Sequence, residues 1–400
     1  MSTREVFRIL YAPHKAFKEI IQNPKYVGPI LVMILFIGAS FALSYTLLSK
    51  TYIDRTKPDG PSENFDLWTE DLSYWRSTAS ITTNTDDFIN VSYPENKGYY
   101  GKKSIEFQST FSDYVCMELN FGEGLSCSES SGYRNLTFRV KIVEPIEPLP
   151  SNVSIYLVSN EQGSFYQDIT RRINSAGIWN NVTLVLGDNW KTLGSANWNN
   201  ITGLKLEFSW FNVQDGIRLR IDGLFFHGLY KSRIETSSDL LISLLNPYSP
   251  INAFMQFTIQ WVFLGGLLYL VPKIFGAKAT WKPLLIASGF ILVIYIVRII
   301  AFTLVYLVSP DMYLSLTYLG GISGEWEKAY GQILELFGFQ SMLLWVFDKI
   351  IWVWTIALCA ILIRSTFALP WSTSIFASVT SFVIYLLLLI FFTPAPPILL

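Results

Sequence analysis

The sequence predicts two architectures in one chain: a membrane α-helical bundle of five spans, and an all-β ectodomain, a β-sandwich, inserted after the first span. Three observations predict it. Apolar runs long enough to cross a bilayer fall near 26–49, 252–272, 283–308, 341–363 and 373–393. Between the first and second lies a polar block, about 60–230, of short alternating stretches cut at close intervals by Gly, Asn, Asp and Pro. All five Asn-x-Ser/Thr sequons, at Asn90, Asn135, Asn152, Asn181 and Asn200, lie in that block. Their clustering places it on the face of the membrane where glycosyl transfer occurs.

Residues 1–25 put Val6, Phe7, Ile9, Leu10, Phe17, Ile20 and Ile21 mostly at helical spacing, with basic residues between and Pro13 as a break. This describes a cytoplasmic amphipathic segment that lies in the membrane interface or packs on the ends of the spans. The run 26–49 carries no charge, and at about 1.5 Å per residue it exceeds the roughly 30 Å of hydrocarbon. Ala39, Ser40 and Ala42 resemble a signal-peptide cleavage site, but signal h-regions span only about 7–15 residues, so a signal anchor is expected. Arg4, Arg8, Lys15, Lys18 and Lys25 precede the first span, Lys273, Lys278 and Lys282 join the second to the third, and Arg364 joins the fourth to the fifth. The 309–340 connection instead carries Asp311, Glu325, Glu327 and Glu335. This asymmetry predicts a cytoplasmic N-terminus, with the ectodomain and the C-terminus outside a plasma membrane. Lys50, Arg55, Lys57, Lys231 and Arg233 flank the polar block on its outer side, but long domains translocate largely regardless of such charges.

Within 60–230, strands are predicted at 103–109, 114–121, 135–143, 151–159, 180–187, 203–211 and 216–228. Segments of this number and spacing suggest a two-sheet sandwich, with the jelly roll the commonest form at this size. Cys116 and Cys127 share this block, and a disulfide between them is expected in an oxidising exterior, whereas Cys359 reads as a small apolar residue of the fourth span. Aromatic residues make up 16% of the chain and charged residues 15%, with a net charge of −1. Such a balance suits a membrane protein with a sizeable soluble part and gives no footprint for nucleic acid. His14 and His227 are the only histidines, which excludes zinc helices of the His-x-x-x-His type and most hydrolytic triads; no enzyme activity is expected. His227 falls at a strand end and reads as structural. Glu70, Asp71, Asp86 and Asp87 supply carboxylates, but neighbours in sequence do not make the separated pair that glycoside cleavage requires.

The segments NFDLWTEDLSYW, NKGYYGKKSIEFQ, GIWNNVTLVLGDNW, ANWNNITGLKLEF and IRLRIDGLFFHG follow one another along the block. Together they resemble the successive strands of jelly-roll carbohydrate-binding modules of the galactose-binding-like type. The resemblance implies a structural calcium ion between the opening and closing strands, at Asp66 and Asp222; solvated or salt-bridged carboxylates are the other reading of that pair. It also implies aromatic faces that stack on sugar rings. Trp68, Trp75, Trp179 and Trp210 are expected in the core, while Tyr99, Tyr100, Trp190 and Trp198, in Gly- and Asn-rich loops, are the candidates for a glycan ligand. A purely structural ectodomain remains the other reading.

Around the spans, Phe7-x-x-x-Tyr11-x-Pro13-x-x-x-Phe17 and the Phe275-Gly276-x-Lys278-Ala279-Thr280-Trp281-Lys282-Pro283 connection resemble the five-span membrane domain of the Yip family. Only Tyr26-Val27-Gly28-Pro29 stands where eukaryotic members carry an acidic, aromatic Gly-Pro motif, and partnership with Rab-type GTPases is not carried over. Arg298, Asp348 and Lys349 are the charges at membrane depth. Arg298 and Asp348 are expected to pair, either to fix helix register or to serve transport. The segment 324–339 reads as an amphipathic helix on the outer surface. The whole describes a non-enzymatic membrane protein, of archaeal type, whose partners are the lipid bilayer, a glycan ligand and other membrane proteins. A transporter or accessory subunit using Arg298 and Asp348 is the alternative.

Overall fold

The computed structural model describes residues 3–58, 66–89, 101–110, 112–128, 132–160, 163–211, 216–232, 234, 250–277, 280–314 and 325–392. They form two compact units, one of residues 1–51, 232–312 and 333–400, the other of 52–231 and 313–332.

The first unit is helical. Among the described residues five helices are long and apolar enough to cross a membrane: Val27–Lys50, Pro250–Ile274, Trp281–Val308, Leu334–Phe367 and Trp371–Phe391. The third is two segments, Trp281–Ile291 and Val293–Val308, joined at Leu292. The fourth belongs to one helix, Glu325–Phe367, so the separate surface helix expected at 324–339 is its first turns; no proline interrupts the run. Two shorter helices, α1 (Thr3–Tyr11) and α2 (Pro13–Gln22), precede the first span. Their apolar faces, Val6, Ile9, Ala16, Phe17 and Ile20, are buried in the same core as the spans, while Phe7 and Tyr11 point outward. The segment packs against the bundle, one of the two placements read from the sequence, which do not exclude each other.

Small residues let these helices approach. A Cβ on Gly28 would lie 1.8 Å from Phe290 Cζ, and one on Gly289 would lie 2.7 Å from Trp261 Nε1 and 2.8 Å from the Pro29 Cβ. Glycine at such crossings is the usual device for close helix contact where lipid supplies no hydrophobic drive. Arg298 Nε donates to Asp348 Oδ1 at 2.5 Å, and a second guanidinium nitrogen reaches Oδ2 at 3.2 Å, joining the third and fourth spans by a two-pronged ion pair. Replacing Asp348 with Asn should cost about 2 kcal/mol, because the guanidinium loses its counter-charge and its two-pronged hydrogen bonding. Thermal unfolding in detergent checks this, and wild-type stability in the variant would refute the pair as a stabilising element.

The second unit is a β-sandwich. Strands β1 (Thr51–Lys57), β3 (Ser80–Asn84), β4 (Ser104–Ser109), β6 (Asn135–Glu144), β9 (Trp179–Val185), β12 (Ile217–Ser232) and β13 (Met312–Leu314) make a seven-stranded sheet. Its path is β13-β1-β12-β4-β3, and β6 pairs both β12 and β9. A six-stranded sheet runs β10 (Lys191–Gly194), β8 (Gly163–Asp168), β7 (Asn152–Asn160), β11 (Ile201–Ser209), β5 (Tyr114–Leu125), β2 (Trp75–Ser77). Every second residue of the long strands faces inward. Ile105, Phe107, Phe138, Val140, Leu219 and Ile221 of one sheet meet Val115, Met117, Ile155, Leu157, Leu206 and Phe208 of the other in one core. The seven strands read from the alternation all form, within a few residues of their expected ends.

The expected disulfide does not form: Cys116 and Cys127 are both free. Cys116 lies near the start of β5 and Cys127 just past its end. At about 3.3 Å per residue an extended strand holds them roughly 30 Å apart, far beyond the reach of a disulfide.

Candidate functional site

The outward face of the six-stranded sheet carries the side chains that alternate with the core. The pairing register lines up one row across all six strands: Arg76, Glu118, Lys205, Tyr156, Tyr166, Lys191. Tyr156 and Tyr166 stand side by side, ring centroids 5.1 Å apart. Lys205 Nζ lies 4.2 Å from the Tyr156 centroid, and Lys191 Nζ lies 5.9 Å from that of Tyr166.

The adjacent row centres on Glu207, whose Oε1 accepts from Lys205 Nζ and from Tyr114 Oη, each at 2.9 Å. Burial raises the Glu207 carboxyl, but the hydrogen bonds from Lys205, Tyr114 and Tyr156 outweigh it and hold the group below its ordinary range. Burial and the bond to Glu207 push the Tyr114 phenol up, so it stays a donor. The face therefore offers two adjoining aromatic rings, flanked by fixed cations, a fixed carboxylate and a phenol. This combination suits a ligand with alternating apolar faces and hydroxyls. Asn152, exposed, lies on the same face four register positions from Tyr156.

The outward face of the seven-stranded sheet is closed by its own charges. Arg220 binds Glu106 through Nε at 2.5 Å and also pairs with Asp87, which accepts from Lys141 Nζ at 2.8 Å. Further along, His227 bridges Asp54 Oδ2, at 3.3 Å from Nδ1, and Thr137 Oγ1, at 2.9 Å from Nε2. The ring ties β1 to β6 through β12, a structural task. His227→Ala should cost about 2 kcal/mol for two lost hydrogen bonds, read by thermal unfolding. No loss would show that the bridge does not stabilise the sheet.

Asp66, just ahead of the short helix Leu67–Glu70, and Asp222 of β12 are fully buried and close together. Asp222 Oδ1 accepts from the Gly223 N–H at 2.7 Å and Oδ2 from that of Ile89 at 2.6 Å, while Thr69 Oγ1 donates to Asp66 Oδ2 at 3.2 Å. Asp66 Oδ1 accepts no hydrogen bond, and the two carboxyls lie within hydrogen-bonding reach of each other. Burial, reinforced by the neighbouring Asp222 and Glu70, raises Asp66 well above the ordinary carboxylate range. Burial also pushes Asp222 up, to about 7, against the pull of its backbone donors. Glu70 Oε1 is held by the Lys102 and Lys103 N–H groups. Among the described residues no three Asp, Glu, His or Cys side chains form a metal cluster.

The aromatic candidates read from loops fare differently. Tyr99 and Tyr100 lie outside the described residues. Trp190 is only 6% exposed, its indole N–H donating to the Val185 carbonyl, so it is a core residue without a free face. Trp198 is half-buried, stacked on Phe165 at 3.8 Å and edge-on to Trp190. Neither joins the Tyr156–Tyr166 row. Among the sequons, Asn90 lies outside the described residues, Asn135 is half-buried within β6, Asn181 is exposed on β9, and Asn152 and Asn200 are exposed at the starts of β7 and β11. Sequence reasoning passed over Tyr156; the signal available was the outward phase of the Ser154-Ile155-Tyr156 and Phe165-Tyr166 alternations.

The fold defines a class: a β-sandwich in one chain with five helices able to span a membrane. No protein-family model matches the sequence, and no curated protein matches it. Among solved structures the chain is similar to a family 11 carbohydrate-binding module from Clostridium thermocellum, in complex with a β-1,3-1,4-mixed-linked tetrasaccharide. Identity there is 10%, over 43% of this chain and 94% of that one, with a TM-score of 0.28. It is also similar to a xylan-binding domain of carbohydrate-binding module family 22, at 13% identity over 43% of this chain and 97% of that one, TM-score 0.25. A β-1,2-glucanase from Parabacteroides distasonis matches at 13% identity over 41% of this chain and 24% of that one, TM-score 0.28.

Proposed function

We propose that this is a non-enzymatic multi-pass membrane protein that displays a carbohydrate-binding β-sandwich outside the cell. The observation that carries the reading is the continuous row Arg76, Glu118, Lys205, Tyr156, Tyr166, Lys191, with two rings side by side at its centre. Strands about 4.8 Å apart make the six-strand row roughly 24 Å long, room for several sugar units laid across the strands. The Yip-like placement of the helical unit and the outside location of the sandwich rest on the sequence patterns alone, as does glycosylation. Arg298 and Asp348 are read as a register lock rather than an ion path, since each already satisfies the other.

The Asp66–Asp222 site suits a calcium ion. Its donors are oxygens, the choice of a hard cation, and the unpartnered Asp66 Oδ1 beside a second buried carboxyl is relieved by a positive charge. Asp66 and Asp222 would hold the ion, with Thr69 Oγ1 beside them. Its contribution is to fasten the opening segment to β12.

The test is binding of the full chain, in detergent or nanodiscs, to a broad array of glycans and polysaccharides with and without calcium. Saturable binding that falls about tenfold or more in Tyr156→Ala or Tyr166→Ala is expected, the equivalent of about 1.4 kcal/mol or more of lost stacking. A folded protein that binds no glycan, or whose binding ignores both tyrosines, would overturn the proposal.

A further inference from the structure

Lys349 is among the charges of the helical unit that have no ionic partner among the described residues. Lys349 follows Asp348 in the fourth span, yet while Asp348 is engaged by Arg298, no carboxylate among the described residues lies within 4 Å of Lys349 Nζ. The ammonium rests on aromatic rings instead, 3.8 Å from the Trp352 centroid and 5.1 Å from that of Trp345. Around it the helix presents an open, shallow apolar face made of Trp345, Val346, Ile350, Val353, Trp354 and Ala357. These positions recur at three- and four-residue intervals and so form one stripe of the helix. Trp345, Ile350 and Val353 are 61%, 53% and 68% exposed.

The depth of this stripe follows from the other end of the span. The Arg364 guanidinium lies 4.3 Å from the Trp371 ring centroid, the pairing of a cation with a Trp that marks a membrane–water boundary. Lys349 is about 15 residues earlier, about 22 Å along the axis at 1.5 Å per residue. Against about 30 Å of hydrocarbon it falls roughly 8 Å inside the opposite boundary. A lysine stem can lift its ammonium that far, and Trp345, one turn nearer the boundary, occupies the aromatic belt.

We propose that this stripe is a binding site for an anionic phospholipid, its phosphate on Lys349 Nζ and one acyl chain lying along Ile350, Val353 and Ala357. Charge complementarity selects the occupant: a cation without a carboxylate partner among the described residues, set on an exposed apolar helix face, matches an anionic amphiphile. An acidic residue from another protein's span would match the charge alone. The inference rests on the reading that the helix crosses the membrane, and that premise has its own check. Release of the chain from membranes by alkaline carbonate would defeat the five-span reading whatever the lipid result.

The experiment is native mass spectrometry of the full chain in mild detergent, supplied with equal phosphatidylglycerol and phosphatidylcholine. Wild type should retain phosphatidylglycerol at least fivefold over phosphatidylcholine. Lys349→Gln should lose that preference, while Lys349→Arg and Arg364→Gln keep it; unfolding midpoints confirm that each variant is folded. Excess inorganic phosphate should not displace the lipid. Equal retention of both lipids by wild type, an unchanged preference in Lys349→Gln, displacement by phosphate alone, or a second protein chain held through Lys349 in place of lipid would each overturn the proposal.

Discussion

Gly28→Val is expected to lower the unfolding midpoint of the detergent-solubilised protein by about 10 °C, corresponding to about 3 kcal/mol of overpacking. The glycine has no room for a side chain: even its Cβ would stand 1.8 Å from Phe290 Cζ, and Phe290 is fully buried among the first, second and third spans. The first span must back away from the third, or Phe290 must leave its place, and either move forfeits contacts among Val32, Phe257 and Ile294 of the same core. Combining Gly28→Val with Phe290→Ala removes the clash, so the double variant should be more stable than the sum of the two single losses allows. Strict additivity, or a Gly28→Val protein as stable as wild type, would show that the two helices do not meet as closely as described.

The second large effect concerns calcium and pH in the sandwich. In the metal-free protein both buried carboxyls titrate above the unfolded value, Asp66 well above it and Asp222 at about 7. The stability these groups contribute is therefore fully present below about pH 4, where both states are protonated, and is lost as pH rises to 7 and beyond. A bound cation reverses the trend by compensating the ionised pair. At pH 8, adding calcium to a chelator-treated sample should raise the sandwich's unfolding midpoint, by the equivalent of about 2.7 kcal/mol at a hundredfold excess over Kd. At pH 5 the gain should shrink, since protons compete for the same oxygens. Asp66→Asn should abolish the calcium response and raise the metal-free midpoint at pH 8. A midpoint indifferent to calcium at both pH values would remove the metal from the proposed function.

Much of the architecture was legible because each element carries its own period. Alternation located β4, β5, β6, β7, β9, β11 and β12, and unbroken apolar runs located the five long helices. What failed, failed where proximity in the chain stood in for proximity in space. Cys116 and Cys127 are near in sequence but separated by the length of β5, whereas Tyr156 and Tyr166 meet because β7 and β8 are neighbours in register. The loop tryptophans misled for a related reason: a large ring in a Gly- and Asn-rich segment can fold back over the sandwich, as Trp190 does with its N–H satisfied by Val185. The short strand Met312–Leu314 left almost no sequence signal, being three residues long and held by its pairing with β1.

The free thiols have a practical use. Cys127 and Cys359 are buried, while Cys116 is half-buried on the outward face of the six-stranded sheet and directly opposite Glu207 in register. Burial raises its thiol, so labelling is slow at neutral pH and quickens as pH rises and more thiolate forms. The native sequence thus already contains a single addressable handle on the same sheet face as the tyrosine pair, across β11 from it. An environment-sensitive fluorophore attached there would turn occupancy of the sheet face into an optical signal, with no engineered cysteine and no competing label elsewhere in the folded chain.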